Sequence, residues 1–204
     1  MSLILVGLSH RTAPIELREQ VDFSTRDIAR AVRELAARRA ADECVILSTC
    51  NRVEIYAVAD PGTARPAIGR FVAEYHGLGA DRLDPHLYLQ LDAAAARHLF
   101  RVAGGLDSLV VGEPQILGQV KDAFQTAADR RCTGPILSKL FHWAFGVGKR
   151  VRTETALGEG AVSISFAAVA LARKIFGRLD GRRVLVIGAG EISTLTAQHL
   201  RSNG

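Results

Sequence analysis

Residues 43–56, ECVILSTCNRVEIY, hold two β-type patterns separated by one short polar turn. Val45, Ile46 and Leu47 form an apolar run that predicts a buried strand. Val53, Ile55 and Ala57 alternate with Glu54 and Tyr56, the period-2 pattern of a second strand. Between them stand Ser48, Thr49, Cys50, Asn51 and Arg52. A thiol therefore sits in a polar turn at a strand end, two residues from a guanidinium. Rigid strands aim side chains and turns expose them, so such turns commonly hold chemistry. A neighbouring cation favours thiolate over thiol, and thiolate is the nucleophile. The alternative for Cys50 is a buried structural cysteine beside a surface arginine, since free cysteine is among the most buried residue types.

The chain has 204 residues, enough for one domain or for one domain and part of another. A core of that size needs no covalent staple. Three cysteines, at 44, 50 and 132, do not make a secretory disulfide framework, and no CxxC pair or His/Cys cluster has zinc spacing. No metal is expected. No apolar run approaches the roughly 20 residues of a membrane span. The opening MSLILVGLSH lacks a basic n-region. A reducing, cytoplasmic setting is the expectation. The net charge of +5 and pI near 9.5 are compatible with a polyanionic partner without demanding one.

LILVGL at 3–8 predicts a first strand, and Ser9 to Pro14 a polar loop after it. Ser24 with Asp27 resembles a capping box. Ile28, Ala31, Val32, Leu35 and Ala36 then repeat at helical spacing, so a helix is expected over 25–39. Further helices are expected near 64–76, over 93–102 with Asp92 as N-cap, from Gly112-Glu113-Pro114 onward, from Gly134-Pro135 onward, and over 162–176. A short strand is expected near 86–90. TALGEG at 155–160 reads as a domain boundary. RVLVIG at 183–188 reads as a strand feeding a helix at 190–202.

That last strand, turn and helix enclose Gly188, Ala189, Gly190, Glu191, Ile192 and Ser193. This is the context of a dinucleotide-binding fingerprint. The first glycine permits a tight turn, and the second lets backbone approach a pyrophosphate at a helix N-terminus. Ser193 stands where Gly or Ala normally allows close helix–strand packing. The residue that separates NAD from NADP would fall about 20 positions past the first glycine, beyond Gly204. A plain βα turn of another doubly wound domain is the other reading. One βα unit is not a stable sheet, so the second domain is expected to be incomplete.

Five segments occur together and in order: SHRTAPIELRE (9–19), STCNRVEIY (48–56), GLDSLVVGEPQILGQVK (105–121), GEGAVSISFAAV (158–169) and VLVIGAGEI (184–192). In them the chain resembles the glutamyl-tRNA reductase family over essentially its whole length. The resemblance implies NADPH-dependent reduction of glutamyl-tRNA(Glu) to glutamate-1-semialdehyde, the entry to tetrapyrroles by the five-carbon route. It implies an α/β fold: a catalytic domain at 1–156, then the first part of a Rossmann-type NADP-binding domain at 157–204. A C-terminal dimerisation domain would be absent here. The whole enzyme would be a homodimer and would pass its aldehyde to glutamate-1-semialdehyde aminomutase.

Residue by residue, Cys50 matches the family's nucleophile, which would free the tRNA and leave a thioester. A thiol of pKa about 8.5 is little ionised at neutral pH, so a depressed value is expected. Thr49, Asn51 and Arg52 match substrate contacts, as do Ser108, Glu113, Pro114, Gln115 and Gln119. Arg52 can pair bidentately with a carboxylate; a structural ion pair is its other reading. Gln115 and Gln119 are four apart and share a helical face. His98 matches a histidine important for family activity, though a lone histidine on an inward helix face is commonly a core residue. His10 and Arg11 stand at a strand end near the expected pocket. Two rivals remain open: a dehydrogenase of a free small molecule with a merely structural Cys50, and a truncated, non-enzymatic homologue that binds tRNA or a partner protein.

Overall fold

In the computed structural model, residues 1–23, 27–155, 157, 164–188 and 190–202 are described. Strand β1 spans Ser2–Ser9, followed by helices α1 (Ile15–Gln20) and α2 (Ile28–Ala37). Strands β2 (Glu43–Thr49) and β3 (Arg52–Ala59) come next. Helices α3 (Pro61–His76) and α4 (Ala80–Leu83), strand β4 (Tyr88–Leu91) and helix α5 (Asp92–Ala103) continue the chain. Then come α6 (Ile116–Asp129), α7 (Pro135–Glu154), α8 (Ile164–Phe176) and α9 (Glu191–Ser202).

The four strands form one antiparallel sheet in the order β2-β3-β1-β4. Every residue of β3 is buried, so helices cover both faces. Glu54 and Tyr56, which alternate with the apolar residues of β3, are both fully buried. Tyr56 stacks edge-on against Phe141 of α7, with ring centroids 5.6 Å apart. Helix α7 buries Leu137, Leu140, Phe141 and Ala144, most of the stripe its sequence announces. Its N-terminal N–H groups would otherwise lack partners. Glu43 of β2 takes two of them: Ile136 and Leu137 donate to its carboxylate at 3.1 and 2.7 Å.

Several boundaries differ from the expected ones. Helix α2 starts at Ile28 with Asp27 as N-cap, its carboxylate accepting from Arg30 N–H at 3.0 Å, while Ser24 lies outside the described residues. Asp92 does not cap α5. Its carboxylate accepts the Leu3 N–H of β1 at 3.1 Å, so it ties the helix start to the sheet. Helix α6 begins at Ile116 rather than at Pro114, because the chain is still turning through the 105–115 loop. Residues 183–188 form no strand. A strand needs ladder partners, and among the described residues none pairs with them; Leu185 and Ile187 are exposed. The expected boundary loop at 155–160 falls mostly outside the described residues.

Candidate active site

Thr49 and Arg52 are the last pair of the β2–β3 ladder, so Cys50 and Asn51 alone form the hairpin loop. The turn is tighter than the five-residue stretch suggested. Thr49 Oγ1 accepts the N–H groups of Asn51 and Arg52, both at 3.2 Å, which fixes the reversal. Ser48 steadies the strand end: its hydroxyl donates to Asp22 at 2.7 Å and accepts the Phe23 N–H at 3.0 Å. His10 N–H donates to the Asn51 carbonyl at 2.8 Å, joining the loop after β1 to the hairpin tip.

Cys50 is exposed at that tip, whereas Cys44 and Cys132 are buried. Its surroundings form a small pocket. Thr49, Asn51 and Arg52 of the hairpin meet Ser108 and Glu113 of the 105–115 loop and Gln119 of α6, with Ile116 as the apolar wall. Seven sequence-predicted residues thus come together. The loop can do this because Gly105 and Gly112 both take positive φ (71° and 85°) and bond across it, Gly112 N–H to Gly105 carbonyl at 2.9 Å. The free space is about 10 Å³. That admits roughly one water.

The cation beside Cys50 is not the one its neighbours in sequence suggested. Arg52 is 1 % exposed and its guanidinium is engaged by carboxylates. Its Nη1 donates to Glu54 at 2.8 Å and to the Asp107 carboxylate at 3.1 Å, and its Nη2 donates to the Asp107 carbonyl. The structural ion pair is therefore the reading the geometry supports for most of the Arg52 fork. Arg18 of α1 reaches the tip instead, donating to the Cys50 carbonyl and lying 3.5 Å from Asn51 Oδ1. Burial pushes the Cys50 thiol up from its ordinary value, the Glu113 carboxylate adds to the rise, and Arg18 works against it. Burial thus opposes the depression expected from a flanking arginine, and the Arg52 charge is already met by two carboxylates.

Behind the pocket lies a buried polar network that sequence patterning missed. Glu54 is fully buried and accepts four hydrogen bonds, from Arg52, Tyr56 (2.7 Å), Tyr88 (2.6 Å) and His98 (2.7 Å). Burial alone would raise its pKa, but the His98 hydrogen bond and the Arg52 charge outweigh it and bring the carboxyl down to about 2. An ionised carboxylate only accepts, so His98 Nε2 carries the hydrogen. Gly7 faces Glu54 across the ladder and leaves room for this cluster.

His98 does not line the Cys50 pocket. It borders a separate cavity on the far side of the Arg52–Asp107 pair. Pro114 and Gln115 also stay out of the pocket lining; Gln115 is the N-cap of α6. Arg18 is the functional candidate that sequence reasoning did not name; its presence in the 9–19 motif was the available signal.

At the glycine turn, Gly188 has φ 119°, a conformation suited to glycine. A Cβ at Gly190 would meet nothing within 4 Å, so backbone there is open to approach. Ser193 Oγ sits 3.1 Å from where a Gly188 Cβ would stand. These residues fit the role of a dinucleotide cradle at the start of α9. Ala189 lies outside the described residues.

Fold and site together define an α/β protein with a solvent-accessible cysteine at a β-hairpin tip, followed by a glycine-containing turn before α9. The family model described as "Glutamyl-tRNAGlu reductase, N-terminal domain" matches residues 6–155, and that of "Shikimate / quinate 5-dehydrogenase" matches 170–204. The glutamyl-tRNA reductase of Pelobacter propionicus is 54% identical over 207 residues, covering 100% of this chain and 47% of that protein. That of Syntrophotalea carbinolica is 51% identical over 201 residues, covering 98% and 45%. The solved glutamyl-tRNA reductase from Methanopyrus kandleri superimposes with a TM-score of 0.68 at 40% identity, over 99% of this chain and 47% of that one. The chain belongs to the glutamyl-tRNA reductase family. It spans about half the length of the relatives it matches.

Proposed function

We propose that this chain carries the acyl-transfer chemistry of an NADPH-dependent reduction of glutamyl-tRNA(Glu) to glutamate-1-semialdehyde, the first step of five-carbon tetrapyrrole synthesis. Residues 1–156 are the catalytic domain, and 157–204 begin the NADP-binding domain. The observation that carries this reading is the exposed Cys50 thiol, held at a rigid hairpin tip inside a polar pocket. Cys50 sulfur attacks the aminoacyl ester carbon. An S–C bond forms, the ester C–O bond breaks, and the tRNA leaves through its ribose hydroxyl. Splitting the reaction at a thioester turns one hard reduction into two easier steps.

The thiol must first lose its proton. Glu113 lines the same pocket and burial raises its pKa above the ordinary carboxylate value, which makes it the better proton acceptor for the thiol. The Thr49, Asn51, Ser108 and Gln119 side chains supply donors and acceptors for the glutamyl group, with Pro114 and Gln115 shaping the loop beside them. Arg52 contributes positive charge and its remaining N–H groups rather than a free fork. His98 positions Arg52 through Glu54.

NADPH, when bound, supplies the reducing equivalents, and Gly188, Ala189, Gly190, Glu191, Ile192 and Ser193 would hold its pyrophosphate. Assembly as a homodimer and transfer of the aldehyde to the aminomutase belong to the same reading of the whole enzyme. The test is incubation with glutamyl-tRNA(Glu) followed by mass spectrometry of the Cys50 peptide. A glutamyl adduct on Cys50, absent from Cys50→Ser, is expected. No adduct, or an equal adduct on the serine variant, overturns the assignment.

A further inference from the structure

A second cavity, larger than the cysteine pocket, lies in the N-terminal domain. It encloses about 550 Å³ and shares no lining residue with that pocket. Arg97, His98 and Arg101 enter it from one face of α5, at i, i+1 and i+4. Arg11 enters from the loop after β1. Ser9, Thr12, Tyr88 and Gln90 add hydroxyl and amide groups.

The charge in this cavity is strongly one-sided. Asp107 is the single carboxylate in the lining, and it is already held by Arg11 and Arg52, each at 3.1 Å, with Arg101 at 3.9 Å. Among the described residues Arg97 has no ion-pair partner. Three guanidinium groups therefore border one space with less than one full carboxylate charge left to meet them. Guanidinium forks match phosphate oxygens in geometry and charge. The volume falls in the ordinary range of ligand sites, and Ala93 and Ala94 give the cavity an apolar wall beside its charged groups.

The cavity and the thiol are neighbours. Arg52 lines the Cys50 pocket, and the Asp107 and His98 that it touches line the cavity, so one layer of side chains separates the two spaces. The loop carrying Ser9, Arg11 and Thr12 is bonded to the hairpin tip through His10 and Asn51. A ribonucleotide ester delivered to Cys50 brings its own backbone phosphates alongside.

We infer that this cavity is a phosphate-binding site for the backbone of the acyl-carrying RNA strand, with Arg97 and Arg101 as its principal contacts. The inference rests on the proposed glutamyl-tRNA substrate and adds the surface that grips it. The test measures binding of deacylated tRNA(Glu) to the chain by fluorescence anisotropy across a salt series. Wild type is compared with Arg97→Ala/Arg101→Ala and with Arg97→Lys/Arg101→Lys, and thermal melts establish that each variant folds. The alanine pair should weaken binding at least tenfold and lower the slope of log K against log salt by about 1, since each phosphate contact to a single strand contributes roughly 0.7. The lysine pair should recover most of the salt slope.

Unchanged affinity and slope in the folded alanine pair would overturn the inference. A second arm titrates inorganic pyrophosphate. Loss of pyrophosphate binding with intact RNA binding would also overturn it, in favour of a small phosphorylated ligand. Because the readout is RNA binding, it is independent of Cys50 acylation. Failure of the acylation test sinks the functional reading, whereas failure here leaves that reading standing and removes only the grip.

Discussion

Gly7 and Glu54 stand opposite one another in the β1–β3 ladder, and a Cβ added at Gly7 would fall 2.9 Å from Glu54 Cγ and 2.7 Å from the Val53 carbonyl oxygen. The closer of those atoms is backbone, which cannot swing aside. Gly7→Ala should therefore destabilise the fold by about 1–3 kcal/mol, the usual cost of overpacking. Urea unfolding followed by circular dichroism measures it. A variant as stable as wild type would mean that β1 can shift away from β3.

The Glu54 network has a pH signature. The folded carboxyl has its pKa brought down to about 2 from an ordinary 4.5. A depressed carboxyl contributes stability that is fully present above the unfolded value, here about pH 4.5, and lost as pH falls toward 2. The shift corresponds to roughly 3 kcal/mol. Glu54→Gln should lose stability of that order at pH 7, and its melting temperature should fall less than that of wild type between pH 5 and pH 3. Parallel acid profiles for the two proteins would contradict this.

The three thiols should differ sharply in reactivity. Cys50 is exposed, while Cys44 and Cys132 are buried and burial pushes the Cys44 thiol up to about 12. Thiolate is the reactive form. Iodoacetamide should label Cys50 alone in the native protein and all three residues in denaturant. Because burial raises the Cys50 value above 9.0, its labelling rate should still be climbing at pH 9. A rate that levels off below pH 8 would show a thiol activated beyond what its neighbours explain.

Two charges pull the Cys50 proton in opposite directions. Arg18 favours the thiolate and Glu113 disfavours it. At pH 8, Arg18→Ala should slow alkylation of Cys50 a few-fold and Glu113→Gln should speed it by a similar factor, since one pKa unit is tenfold in ionisation. Stopped-time labelling with mass detection reads both. Acyl transfer from glutamyl-tRNA(Glu) should fall in both variants if Glu113 takes the thiol proton, so the two assays separate the electrostatic effect from the catalytic one.

The hairpin and its cysteine were legible in the sequence because both strands and the turn lie within seventeen consecutive residues. Local alternation could not show that Glu54 and Tyr56 are buried. Their partners Tyr88, His98 and Phe141 arrive from β4, α5 and α7, and only tertiary packing brings them in. Arg18 was invisible for the same reason, lying 32 residues from the carbonyl it holds. Arg52 misled because proximity along the chain was taken for proximity of its charge. On a strand, successive side chains point to opposite faces, and Arg52 follows Glu54 rather than Cys50. The apolar run at 183–188 shows the converse: the residues favour a strand, but a strand exists only where another backbone lies alongside.

The two hydrogen bonds from α7 to Glu43 also have a mechanical side. They clamp one end of a 20-residue helix to the strand that terminates at the cysteine hairpin. Glu43 thus anchors the start of α7 to the same strand whose far end carries Cys50, and the two share one rigid backbone.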